Sequence, residues 1–226
     1  MLAVLVVVLL AASCEAFRSA HDFTRSSTSA NMFNFSNLQL PSFSKAKAPT
    51  ISASELKSKI IAESKGTSNG IKATPTQREA IAGLVASLEK LNKSKKPAAS
   101  PLIDGVWKLA YTTNEGSSAG KIGPFVGEVL QIVNYADTKY VNDVKLLGGA
   151  LQASLTADWD VLGADKWQVN FRTLALKVLG VKVSDKPFGN VSGIWRMTYI
   201  DENMRVLYAQ GGKNTVKENV YVLVKE

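Results

Sequence analysis

The chain has 226 residues and a formal net charge of +8, long enough for one sizeable domain with appendages. The charge is uneven: residues 17–101 carry 13 Lys and Arg against 5 Asp and Glu, whereas residues 102–226 carry 14 against 13. A nucleic-acid-binding domain gathers its cations on the folded surface, often with aromatics between them, so this distribution argues against one.

The chain opens on an unbroken apolar run, residues 2–12, where a bilayer span needs roughly 20 residues. Small residues and the end Cys14-Glu15-Ala16 follow. This predicts a signal peptide over residues 1–16, cleaved after Ala16, although no Lys or Arg precedes the run. Residues 17–50 are rich in Ser, Thr and Asn and hold Arg18, Arg25, Lys45 and Lys47 against the single acid Asp22, the composition of a disordered transit peptide. A signal peptide joined to a transit peptide, with Phe17 directly after the cut, resembles the bipartite presequence of plastid proteins in algae with red-algal-derived plastids. Glu15 and Arg18 depart from that pattern's small flanking residues. The resemblance implies a plastid location reached through the secretory pathway.

Cys14 and His21 are the only cysteine and histidine, and both fall in this leader. The remaining chain therefore offers no disulfide, thiolate or imidazole chemistry and no Ser-His-Asp triad. Neither a metal site nor a cofactor is expected. Carboxylates are left, and Asp158 with Asp160, or Asp201 with Glu202, are the pairs to consider; the first two alternate on the polar side of a strand and read as a solvated face. The stretch GSSAGK, residues 116–121, hints at a phosphate loop but has three residues between its glycines instead of four, and Ile122 where a magnesium-binding Ser or Thr belongs. Sequons at Asn34, Asn92 and Asn190 matter only on a secretory route.

Residues 51–99 form a helical segment. Ser52 and Glu55 suit a capping box, followed by Leu56, Ile60 and Ile61 on one face of a short helix ending near Gly66. Thr74, Pro75 and Gln77 supply a cap, an N1 proline and a capping-box partner for a second helix, with Ile81, Leu84, Val85, Leu88 and Leu91 at helical spacing up to Pro97. Lys90, Lys93, Lys95 and Lys96 cluster near its end. They suit the helix dipole and would also suit an anionic membrane surface.

From Gly105 the period changes to two. Strands are predicted over residues 106–112, 129–135, 139–147, 151–161, 167–172, 193–200, 204–210 and 216–224, with an apolar stretch at 174–183 and a Pro and Gly loop at 185–190. Leu151, Ala153, Leu155, Ala157, Trp159 and Val161 interleave with polar residues most clearly. Asp201, Glu202 and Asn203 make one tight turn; Gly211 and Gly212 open another. Some eight short antiparallel strands after two amphipathic helices predict a mainly β fold, an up-and-down barrel over residues 100–226. A packed sandwich would show the same alternation; small inward residues such as Ala153 and Ala157 favour a barrel with room inside.

The segments LEKLN (residues 88–92), LIDGVWKLAYTTN (102–114), YIDENMRV (199–206) and VYVLVK (220–225), in this order and spacing, resemble the plastid lipid-associated proteins, or plastid fibrillins, over residues 54–226. The resemblance implies a lipocalin-like barrel with N-terminal helices, residence at plastoglobules or thylakoids, and binding or sequestration of carotenoids, prenylquinones or fatty acids without a characteristic catalytic activity. It also assigns structural roles. Gly105 and Trp107 match a G-x-W opening in which the indole closes one barrel end, and Asp201 and Arg205 match a Tyr-x-Asp-x-x-x-Arg turn. Arg205 either stacks on an indole or pairs with Asp201. After Arg205 the chain departs from the family's Arg-Gly-x-x-Gly pattern with a longer hairpin.

Candidate ligand contacts are the aromatics expected to face inward: Tyr111, Trp159, Trp167, Phe171, Trp195 and Tyr199. The phase of the 193–200 strand stays open, because Trp195, Met197 and Tyr199 alternate with Ile194, Arg196 and Thr198. The function expected is a non-enzymatic protein that binds an apolar small molecule or lipid at a peripheral membrane or plastoglobule surface. The alternatives are a scaffold docking to an enzyme of prenylquinone synthesis as protein partner, and an isomerase-type enzyme working through a carboxylate or tyrosine inside the barrel.

Overall fold

The computed structural model describes residues 51–211 and 217–226. The leader read over residues 1–50, with Cys14, His21 and Asn34, and the turn residue Gly212 lie outside the described residues.

Helix α1 (Ala53–Ser64) starts where the Ser52 hydroxyl accepts the Glu55 N–H at 3.2 Å; Glu55 itself turns to Lys59 at 2.9 Å. Helix α2 (Pro75–Glu89) has the full capping box, Thr74 with Gln77, and Pro75 in its first turn. The buried stripe is Leu56 and Ile60 on α1, and Ile81, Val85 and Leu88 on α2. Ile61 and Leu91 fall off it, at 39% and 36% exposed, which corrects the wider stripe expected from spacing. Lys90, Lys93, Lys95 and Lys96 follow the end of α2 and are exposed. No helix among the described residues is long and apolar enough to cross a membrane.

The strands are β1 (Gly105–Thr112), β2 (Lys121–Ile122), β3 (Phe125–Val126), β4 (Glu128–Asn134), β5 (Lys139–Leu146), β6 (Leu151–Val161), β7 (Lys166–Val178), β8 (Val181–Ile200), β9 (Met204–Gly211) and β10 (Asn219–Lys225). β2 and β3 form a separate small hairpin. The other eight close into an antiparallel barrel in the order β1-β10-β9-β8-β7-β6-β5-β4. From β4 to β10 each strand pairs with its chain neighbour, and β1 closes the ring, with Trp107 opposite both Gln131 and Lys225. This is the up-and-down barrel expected from the alternation.

Two of its strands are not short. β7 has 13 residues and β8 has 20, so residues 185–190, expected as a loop, lie inside β8. The reason is that β9 ends at Gly211 opposite Gly193, so the first part of β8 pairs with β7 alone among the described residues. Among the described residues the missing N–H of Pro187 interrupts no second ladder, and a register shift beside Phe171 accommodates Gly189 at φ +63°. The apolar stretch at 174–183 is divided between the two strands by a turn at Leu179 and Gly180.

Two apolar cores result. One fills the barrel and includes Trp107, Leu109, Trp159, Trp167, Val169, Trp195, Met197 and Leu223. The other joins the helical stripe to the outer wall, through Tyr111, Tyr199, Met204, Val206 and Val222. Burial contributes about 1.5–3 kcal/mol per large aliphatic side chain, so the stripe is what holds the helices to the barrel.

Candidate functional site

The end of the barrel beside the N-terminus of β1 is closed. Gly105 has φ +110°, and a Cβ there would also stand 3.0 Å from Lys225 Nζ, so glycine is required to turn the chain into the strand. Trp107 follows, fully buried, and its Nε1–H donates to the Ile103 carbonyl at 2.8 Å. Trp167 stacks on Trp159 at 4.2 Å and 13°, and donates its own Nε1–H to the Ala98 carbonyl at 2.8 Å. Both accepting carbonyls belong to two 3-10 turns, Pro97–Ala99 and Pro101–Ile103, whose Ala98 and Ile103 side chains enter the barrel core. The plug is thus two indoles bonded to the segment that leads into β1.

Arg205 completes it. The guanidinium is 1% exposed, lies 5.0 Å from the Trp107 ring, and donates from Nη2 to Gln131 Oε1 at 2.5 Å. Lys225 Nζ also lies over the ring at 4.5 Å and donates to the Leu102 and Asp104 carbonyls. Of the two roles open to Arg205, the structure selects stacking on an indole. Its Nε and Nη1 groups have no hydrogen-bond partner among the described residues. Burial pulls its pKa down to about 10, against the opposing influence of Tyr140.

Asp201 turns the other way. Its Oδ2 accepts from Lys57 Nζ and from the Tyr199 hydroxyl, both at 2.6 Å, and its Oδ1 accepts the N–H groups of Asn203 and Met204 at 2.9 and 2.8 Å. It therefore ties α1 to the β8–β9 turn. Burial would raise its pKa, but the bonds from Lys57, Tyr199 and the two backbone N–H groups outweigh that and hold it below the ordinary value. A depressed carboxylate stabilises the fold above its unfolded pKa and loses that contribution as pH falls through the folded one. Asp201→Asn is expected to cost about 1–2 kcal/mol at neutral pH, and the gap from the parent should close below about pH 4. Thermal melts of both proteins across that range check this; a gap that persists in acid would show that charge is not what Asp201 supplies.

The candidate ligand contacts divide. Trp159, Trp167 and Trp195 are buried in the barrel, and Phe171 is partly buried against the same core. Tyr111 and Tyr199 instead face the helices. Each follows a bulge: Leu109 pairs with Leu223 but Tyr111 with Val222, and Met197 with Leu207 but Tyr199 with Val206. One extra residue, Ala110 or Thr198, moves the following side chain to the opposite face. On β8 the inward face is the one with Trp195 and Met197.

Period two alone did not single out Tyr140, Gln131 and Asn142, although all three alternate in phase with buried neighbours. Tyr140 meets Trp195 edge-on at 4.8 Å, and its hydroxyl donates to Asn142 Oδ1 at 3.1 Å. The barrel lining is therefore aromatic, with Gln131, Asn142 and Arg205 as its amide and cationic groups. The carboxylate pair Asp158 and Asp160 lies on the outer wall, where Arg172 and Asn170 bond Asp158 and Asn170 reaches Asp160. GSSAGK contains a 3-10 turn, and the Ala119 carbonyl accepts from Asn69. Two clefts are open outside the barrel, one of about 750 Å³ between α1 and the wall, lined by Lys57, Ile61, Lys65, Met204 and Val224, and one of about 610 Å³ beside Asp104 and Tyr135.

The sequence profile of the family PAP_fibrillin matches residues 54–217. The chain is 28% identical to the probable plastid-lipid-associated protein 5, chloroplastic, of Arabidopsis thaliana, over 70% of this chain and 66% of that protein. It is 25% identical to the chromoplast-specific carotenoid-associated protein C1 of an Oncidium hybrid cultivar, over 76% of this chain and 69% of that one. The chain thus spans about two thirds of the length of these relatives. Among solved structures, a complex of bovine odorant binding protein with a selenium-containing odorant aligns at a TM-score of 0.32 and 13% identity, over 54% of this chain and 72% of that one.

Proposed function

The chain belongs to the PAP_fibrillin family, and from that premise we propose that it is a non-enzymatic plastid lipid-associated protein that binds or sequesters an apolar molecule. A carotenoid, a prenylquinone or a fatty acid is the ligand class, and plastoglobule or thylakoid surfaces are the place. The observation that carries this reading is the barrel interior: Trp159, Trp167, Trp195, Tyr140 and Met197 make it apolar and polarisable, and Ala153 and Ala157 keep two inward positions small, so a ligand enters by displacing packed side chains. A fatty-acid carboxylate or a quinone oxygen would meet the unpartnered N–H groups of Arg205, whereas a hydrocarbon carotenoid would not. Residues 1–16 and 17–50, read as signal and transit peptides, supply the route to the plastid.

The test uses residues 51–226, which contain every element described. Incubated with plastid lipid extract and re-purified, this protein should retain an apolar compound, and Ala153→Leu, which fills one small inward position, should retain less while keeping its circular dichroism. Retention of nothing apolar by the parent protein ends the binding reading.

A second reading, a scaffold for an enzyme of prenylquinone synthesis, is favoured by the cleft beside α1, where Ile61 and Val224 meet Lys57 and Lys65. Under that reading Ile61→Asp abolishes capture of the enzyme and leaves lipid retention unchanged.

A further inference from the structure

The barrel end away from Trp107 carries the four most exposed large apolar side chains among the described residues. Three of its connections are the β2–β3 hairpin, the turn between β5 and β6, and the turn between β7 and β8. Each presents large apolar side chains to solvent: Phe125 is 56% exposed, Leu147 73%, Leu179 78% and Val181 65%. Leu147 and Leu179 hold φ of +51° and +50°, a left-handed backbone that turns usually give to Gly, Asn or Asp. Leucine there answers no local backbone need. Each is followed by glycine, so the sequence has the permissive residue beside it and still places leucine at the tip.

The connections form one rim. The Leu179 N–H donates to the Ala150 carbonyl at 2.7 Å, joining the two turns, and Gly127, just after β3, runs so close to β5 that a Cβ would stand 2.3 Å from the Lys145 carbonyl. Register places Lys145, Lys177 and Lys182 in a cross-strand row on the outer wall beneath this rim, with Gln152 between the first two, and Lys121 and Lys186 lie at the same end. The acids there are engaged: Glu115 by Arg78, Glu128 by Lys108, Asp185 by Lys182, Glu218 by Arg196, and Asp143 by Gln152 and Ser154. Lys121, Lys145, Lys177 and Lys186 have no ion-pair partner among the described residues. The loops of the closed end carry Asp104, Asp137, Asp165, Asp201 and Glu202 together with Lys139, Lys166 and the lysines that follow α2, and they expose Leu102, Val161 and Leu162 to a lesser degree.

We infer that this rim is a lipid-docking surface: Phe125, Leu147, Leu179 and Val181 enter the interface of an anionic membrane while Lys121, Lys145, Lys177 and Lys186 meet its headgroups. Apolar tips ringed by cations suit such an interface, because the side chains leave water while the charges stay at headgroup level. The acidic loops of the closed end then point away from the leaflet. The barrel end opposite the Trp107 plug then faces the lipid, which gives an apolar ligand a path between bilayer and barrel interior without crossing water. This rests on the lipid-associated reading above and adds the orientation.

Residues 51–226 contain no cysteine, so single labels are available. Leu179→Cys on the rim and Leu162→Cys at the closed end, each carrying an environment-sensitive fluorophore, are mixed with phosphatidylcholine vesicles with and without phosphatidylglycerol. The rim label should shift to the blue with anionic vesicles only, and the Leu162 label should not move. In co-sedimentation, Leu147→Ser with Leu179→Ser should weaken binding by about tenfold or more, whereas Lys90→Glu with Lys93→Glu and Lys95→Glu should change it less than about twofold. A blue shift at Leu162, or a loss confined to the Lys90 set, overturns the assignment in favour of the α2 end. Retention of apolar compounds from extract is measured on the same proteins: if retention persists while the rim variant binds vesicles like the parent, the docking inference alone fails, and if the parent neither retains lipid nor binds vesicles, the functional reading fails with it.

Discussion

Trp107→Ala is expected to lower the stability of residues 51–226 by about 3–5 kcal/mol, a fall of roughly 6–20 °C in melting temperature for a chain of this size. The indole is fully buried, and its removal opens a cavity where the plug meets the barrel core. Three groups lose a partner at once: the Ile103 carbonyl loses its donor, and Arg205 and Lys225 lose the ring over which they lie. Trp107→Phe separates these losses. It keeps an aromatic face for the two cations and abandons the Nε1–H bond, so it should cost less than half as much as alanine. Chemical denaturation of the three proteins checks the order, and a Trp107→Ala melt within a degree or two of the parent would remove the plug from the account.

The plug was expected through the resemblance: Gly105 directly before a strand and Trp107 two residues on match a G-x-W opening, and the closing role of the indole came with that match, not with the alternation. The capping box at Thr74 and the clean alternation of β6 were legible because each is complete within its own segment. What period two could not show was where the period slips. Ala110 and Thr198 are ordinary strand residues, and nothing in their identity marks them as the extra members of bulges. Their partners on β10 and β9 decide the matter, and so decide that Tyr111 and Tyr199 face the helices. Arg205 posed the same problem in another form: its pairing with Asp201 looked equally good because the two are four residues apart, and only the barrel wall shows that one points in and the other toward α1. β8 hid its length because Pro187 and Gly189 read as a loop unless the strand's pairing with β7 is known. β2 and β3, two residues each, are too short to carry any period.

Arg205→Met tests whether the buried cation serves the fold or a ligand. The guanidinium bears the cost of leaving water and recovers one bond to Gln131 and the face of Trp107, while Nε and Nη1 have no partner among the described residues. Exchanging a buried, incompletely paired charge for an apolar side chain of similar length is often neutral or stabilising, whereas truncation is not. Arg205→Met is therefore expected to lie between unchanged and about 2 kcal/mol more stable than the parent, and Arg205→Ala, which leaves a cavity and strands Gln131, about 2–4 kcal/mol less stable. Retention should run the opposite way. A fatty acid or quinone bonded to the free N–H groups should be held about tenfold or more less well by Arg205→Met, while a carotenoid hydrocarbon, which offers no acceptor, should be held as before. A methionine variant that is as unstable as the alanine one would make Arg205 a structural member of the plug. Undiminished retention of acids and quinones would place their polar ends elsewhere in the barrel.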